Sequence, residues 1–125
     1  MSSEIFKLNQ PFLSPRTITQ SFLQAGFCLS LYNAELARIL ELKCNDIGLI
    51  NSAQLLLKPG TREYHQAILF IMMYQALFNK FGGEAITMYR WLHRKQKGLD
   101  NSPHLLMVDE QKIALIVDYL SQDLQ

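Results

Sequence analysis

Full charge is scarce in this 125-residue chain: 18% of residues are charged, and twelve Lys and Arg against eleven Asp and Glu leave a formal net charge of +1. That balance excludes a protein held to nucleic acid by bulk charge, although a local basic patch is still allowed. Two cysteines, Cys28 and Cys44, are too few for a disulfide scaffold and lack the spacing of a metal site. His65, His93 and His104 are scattered, with no HExxH pair, and read as surface or helix-end residues. Gly82-Gly83 lacks the lysine and the spacing of a phosphate loop, and no nucleophile elbow occurs. The chain is therefore expected to be no enzyme, with no catalytic or metal-ligating residue, no cofactor and no small-molecule substrate. Its start, residues 1–13, has no basic stretch followed by an apolar one, which reads as no secretory leader and a cytoplasmic, reducing location. Long apolar runs are missing too. Residues 65–79 hold eleven apolar residues and no full charge, but a helix needs about 20 apolar residues to cross a hydrocarbon layer. Gln66 and Gln75 interrupt this one, and no membrane association is expected.

Apolar residues make up 49% of the chain, so a core can be buried; a chain of this length hides roughly 65% of its unfolded surface on folding. The pattern is helical, and the fold class expected is all-α: an N-terminal helix-turn-helix bundle followed by a small helical module. Residues 1–16, with Pro11 and Pro15, read as an irregular start. Thr17 or Thr19 is the expected cap of a first helix carrying Ile18, Phe22, Leu23 and Phe27 on one face, with Gly26 near its end. Asn33 reads as the cap of a second helix with Leu36, Ala37, Ile39 and Leu40 inward. A shorter third helix is expected over residues 46–56. Lys58-Pro59-Gly60 breaks the chain.

Thr61 is expected to cap a long helix to about Phe81, ended by Gly82-Gly83. Glu84 opens another over residues 84–95, followed by a loop over residues 95–103. Ser102 with Pro103 begins a short turn of helix, and Asp109 is the expected cap of a last helix over residues 110–124.

The helices around residues 34–42 and 46–56 have the spacing of a helix-turn-helix, whose second helix enters the major groove. The same spacing fits an ordinary helical hairpin. The second helix offers Asn45, Asp46, Asn51, Ser52 and Gln54 but no Arg or Lys before Lys58, although base and phosphate contacts usually recruit those cations. The DNA-contact residues expected are therefore Lys43, Asn45, Asp46, Asn51, Ser52, Lys58 and Arg62, with Arg38 as a further flanking cation.

The helix from Tyr64 to Phe81 is apolar nearly all round, which calls for a central position, a second chain, or both. A homodimer is expected, with Phe70, Met73 and Leu77 at the contact. Met72, Met73 and Met88 read as core fillers. Towards the end of the chain, Arg90, Arg94, Lys95 and Lys97 form a basic cluster around Trp91. Beyond Leu99, Asp100, Asp109, Glu110, Asp118 and Asp123 face a single cation, Lys112. Both runs fit solvated helix faces. The sharper reading is an acidic terminal helix that docks on a basic partner surface.

Over residues 69–120 the chain resembles the C-terminal toxin-binding domain of the Xre/MbcA/ParS antitoxins. The matching residues are Gly82-Gly83, Glu84-Ala85, Trp91-Leu92, Leu99, Pro103, Leu105-Leu106 and Val117-Asp118-Tyr119-Leu120. Residues 34–40, AELARIL, resemble that family's Xre-like helix-turn-helix, so the likeness spans roughly residues 17–123. It divides the chain at 1–16, 17–60 and 61–125. It implies an antitoxin of a type II toxin–antitoxin system, whose partner is a RES-type, NAD-consuming toxin occluded by the C-terminal module. Autorepression by binding operator DNA is implied as well. The expected toxin contacts are Leu99, Asp100, Asn101, Ser102 and Pro103 in the loop, then Tyr119, Asp123 and Leu124 on the last helix. Leu49 stands where the family's second helix often has arginine. The alternative is a dimeric helical transcription regulator or adaptor without a toxin partner; a small RES-type reading frame next door separates the two.

Overall fold

The computed structural model describes residues 14–123; Leu124 lies outside them. Seven helices and no strand occur among the described residues: α1 (Pro15–Cys28), α2 (Asn33–Leu40), α3 (Cys44–Asn51), α4 (Arg62–Phe81), α5 (Ala85–Leu92), α6 (Pro103–Val108) and α7 (Ile113–Asp123). The fold is all-α. No helix among the described residues is long and apolar enough to cross a membrane.

Local signals set several boundaries as expected. The Thr61 hydroxyl accepts from the Tyr64 N–H at 3.3 Å and opens α4. Gly82 closes it in the left-handed region, with φ 64°. Ser102 accepts from the Leu105 N–H at 3.3 Å, and Pro103 stands at the first position of α6, where its missing N–H costs nothing.

Other boundaries shift because a distant group competes for the expected cap. Ser14, not Thr17 or Thr19, caps α1, accepting from the Thr17 N–H at 3.1 Å. Thr19 is buried instead, donating to the Pro15 carbonyl at 2.7 Å and accepting from the Leu57 N–H at 3.1 Å. Tyr32 takes the cap position of α2, because the Glu35 carboxylate captures its N–H at 2.9 Å. Asn33 is left to accept from the Asn51 side-chain amide at 3.3 Å. α3 stops at Asn51, short of residue 56, since Ala53 turns left-handed at φ 63° and Leu57 is drawn into the core. α5 stops at Leu92 rather than 95, and the Gln96 side-chain amide donates to the Trp91 carbonyl at 2.9 Å. Asp109 closes α6 instead of opening the last helix. Its carboxylate pairs with Arg38 at 2.9 Å, and Gln111 at φ 56° separates it from α7.

The long helix α4 is the axis of the molecule, packed by α1, α2, α5 and α7. Phe70 meets Phe22 of α1 edge to face, with ring centroids 5.2 Å apart. The end of α1 approaches α2 so closely that a Cβ on Gly26 would lie 2.8 Å from a Leu36 methyl carbon, so any larger residue there would force Leu36 to move. One continuous buried set runs from Ile18 to Leu120 and crosses the break at residues 58–60. Polar ties reinforce that continuity: Gln111 donates to the Arg38 carbonyl at 3.1 Å, and His104 of α6 meets Glu35 of α2.

This arrangement corrects the expected dimer contact. Phe70, Met73 and Leu77 are each 0% exposed within the single chain. The all-round apolar character of α4 is matched by the chain's own helices, so these three side chains have no surface to offer a second copy.

Candidate protein-docking cleft

Helix α5 is the least enclosed of the longer elements. Met88, Trp91 and Leu92 anchor it to the core, and the remaining positions face outward. Ala85, Ile86, Tyr89 and His93 lie on one side of it, as residues three and four apart do on a helix. With Ser30, Tyr32 and Glu35 from the start of α2, they line an open cleft of about 520 Å³. Its rim is apolar and wet: Tyr32 is 77% exposed, Ile86 62% and Tyr89 44%. Phe27, three residues before Ser30 at the end of α1, is 79% exposed. Single exposed apolar side chains are ordinary on a protein surface, whereas a cluster of large ones marks a place where something docks.

The cleft is held by rings and one carboxylate. Tyr89 stacks on His93 with centroids 4.1 Å apart, and His93 stacks on His104 at 4.3 Å. His93 Nδ1 lies 2.9 Å from the Tyr89 carbonyl, which only accepts, so Nδ1 carries the proton and donates. His104 Nε2 lies 2.6 Å from Glu35 Oε2 and donates by the same logic. Glu35 also receives the Tyr32 N–H, so one carboxylate fixes both the start of α2 and the base of the ring stack. The cleft is thus preformed, which lowers the ordering cost of binding. Among the described residues no group of three or more His, Cys, Asp and Glu side chains has the geometry to hold a metal ion.

The residues expected to touch DNA are only partly available. Lys43, Asn45, Asn51, Ser52 and Lys58 are exposed, and Asp46 is half-buried, its carboxylate accepting from the Lys43 N–H at 3.3 Å. Arg62 is bound to Glu41 at 2.7 Å, and that carboxylate raises its pKa, chiefly by the hydrogen bond. Arg38 is likewise held by Asp109. Two of the four cations flanking α3 therefore already have acidic partners.

Within the loop expected to contact a toxin, four of the five side chains serve the chain itself. Leu99 and Pro103 are buried, Ser102 caps α6, and the Asn101 amide donates to Glu110 at 3.0 Å. That bond first, and then Lys112, holds the Glu110 carboxyl below the usual carboxylate range. Asp100 alone points to solvent unbonded. Tyr119 is half-buried, and its hydroxyl donates to the Lys97 carbonyl at 2.7 Å. Asp123 ends α7.

Sequence reasoning missed Tyr32 and Glu35 in the lining of the cleft and His104 in the ring stack beside it. One signal was present. Helix α5 has more large apolar residues than one buried face can take, so Ile86 and Tyr89 had to lie elsewhere. No protein-family model matches this chain, and no match to it is found among curated proteins.

Proposed function

We propose that this chain is an antitoxin: a non-enzymatic helical domain that docks on a partner protein and covers its active site. The resemblance of its C-terminal half to the Xre/MbcA/ParS antitoxins supplies the class of partner, a RES-type toxin that consumes NAD. The observation that carries the protein-binding part is the preformed cleft between α2 and α5, with three large apolar side chains on its rim. Aromatic anchors in a preset groove are what protein interfaces concentrate their energy on. In this reading the loop at residues 99–103 fixes the module's shape, and Asp100, Asp118 and Asp123 add negative charge towards a toxin pocket that binds an anionic dinucleotide.

A homodimer, which the resemblance also implies, would use a surface other than Phe70, Met73 and Leu77. Autorepression through α2 and α3 is the second part of the proposal, supported by their three-residue connection and by the exposed Lys43, Asn45 and Lys58.

The test is co-expression with the product of a neighbouring RES-type reading frame. The chain should rescue growth and be captured with that product. Replacing Tyr32→Ala together with Tyr89→Ala should weaken capture by about 30-fold or more, the loss of a hot spot worth at least 2 kcal/mol. Equal rescue and capture by the double variant would sink the cleft. Absence of any captured partner would favour the alternative, a helical regulator or adaptor that meets no toxin.

A further inference from the structure

The strip of α5 beside the cleft carries a different chemistry. Arg90, Arg94, Lys95 and Lys97 are all exposed, and among the described residues none of them pairs with an acid. Thr87, Arg90 and Arg94 stand three and four residues apart, so they follow one line along α5 and its terminal turn. With Phe81, Trp91 and Lys95 they line a groove of about 460 Å³. Its floor is fixed, because the Gln96 side chain donates to both the Trp91 carbonyl at 2.9 Å and the Arg94 carbonyl at 3.2 Å. Around α3 less is left over: α3 itself has no cation, Arg38 and Arg62 nearby are paired with acids, and Lys43 and Lys58 are the cations that are not.

We propose that this groove binds the phosphate backbone of duplex DNA. Phosphate contacts recruit arginine, lysine and hydroxyl side chains and need no apolar anchor. A protein partner is held instead through large apolar side chains that reach into it. Here Trp91 is buried and Phe81 half-buried, whereas the exposed anchors Ile86 and Tyr89 line the neighbouring cleft and not this groove. With a net charge of only +1 over the whole chain, the attraction is local to this groove. The inference is independent of the toxin reading, and its test contains no toxin.

The chain's single tryptophan, Trp91, lines the groove and reports on it. Titrating the protein with a duplex of about 20 base pairs at low salt should change the tryptophan emission. The slope of log affinity against log salt should fall by about 2.7 in the variant Arg90→Ala/Arg94→Ala/Lys95→Ala, at about 0.9 per phosphate released. Arg16→Ala, removing an exposed cation on α1 away from the groove and from α3, should leave slope and emission change unaltered. Should the triple variant misfold by circular dichroism, Arg94→Ala alone, beyond the helix end, should lower the slope by about 0.9. Three results would each overturn the proposal: no duplex binding at low salt, a triple variant that binds like the parent, or a tryptophan response to a poly-glutamate peptide with none to the duplex. The last would assign the groove to an acidic protein.

Discussion

Helices α3 and α5 are both eight residues long, both lie on the outside of α4's core, and they offer opposite surfaces. α3 is the helix that the sequence pattern offered for reading DNA, yet it shows solvent only Cys44, Asn45, Gly48 and Asn51. α5 exposes apolar anchors side by side with cations that pair with no acid among the described residues. The difference lies in which side chains the fold has already used. Around α3, Asp46, Arg62 and Asn51 are tied by internal bonds. Around α5, Arg90 and Arg94 make no ion pair among the described residues, and Ile86 and Tyr89 lie outside the core. Position in a motif names a candidate; the unspoken-for side chain decides what binds.

The largest effects should come from the anchors that hold each helix in place. Trp91→Ala should cost about 3–5 kcal/mol and Ile47→Ala about 2–5 kcal/mol in urea unfolding, because both side chains are buried and leave cavities. If either were tolerated within 1 kcal/mol, that helix would not be fixed as described. Next is Ile86→Asp, which sharpens the contrast. It lies in the first turn of α5, where an acid suits the helix N-terminus, so stability should stay within about 0.5 kcal/mol. Capture of the partner should nevertheless fall by at least tenfold. An equal loss from Asn51→Ala, on the exposed side of α3, would break the comparison.

Deleting residues 121–125 should do less. Leu120 is fully buried, while Ser121 and Gln122 are exposed, so the truncated chain should fold with the same urea midpoint. If the cleft carries the partner, capture should persist; if the acidic end occludes the toxin, neutralisation should be lost. The smallest effect concerns the loop at residues 99–103. The Glu110 carboxyl titrates below the usual carboxylate range, so its contribution is present above the unfolded pKa and is lost as pH falls through the folded one. Asn101→Ala should move it upward in an NMR titration. No movement would show that Asn101 is not its partner.

Much of the fold was legible because its signals are local. Thr61, Gly82 and the Ser102-Pro103 pair act on chain neighbours, and the structure keeps all of them. Thr19 and Asp109 were misplaced because Leu57 and Arg38, both remote in the chain, engage them; Asn33 lost the cap position through a local bond, the Glu35 carboxylate accepting from the Tyr32 N–H. The apolar girth of α4 was read correctly as a demand for cover, but sequence cannot say that α1, α2, α5 and α7 supply it. The cleft was invisible for a related reason. Tyr32, Glu35, Tyr89, His93 and His104 come from α2, α5 and α6 and the turns beside them, and their ring stack exists only once those helices meet. Its only trace in the sequence was the surplus of apolar residues on α5.

Amide hydrogen exchange of the chain, alone and bound to the product of a neighbouring RES-type reading frame, tests the claim that α5 is the working helix most directly. The account predicts new protection over residues 85–93 and 30–35, with residues 44–51 and 99–103 unchanged. Protection confined to residues 99–103 and 117–123, with none on α5, would contradict it.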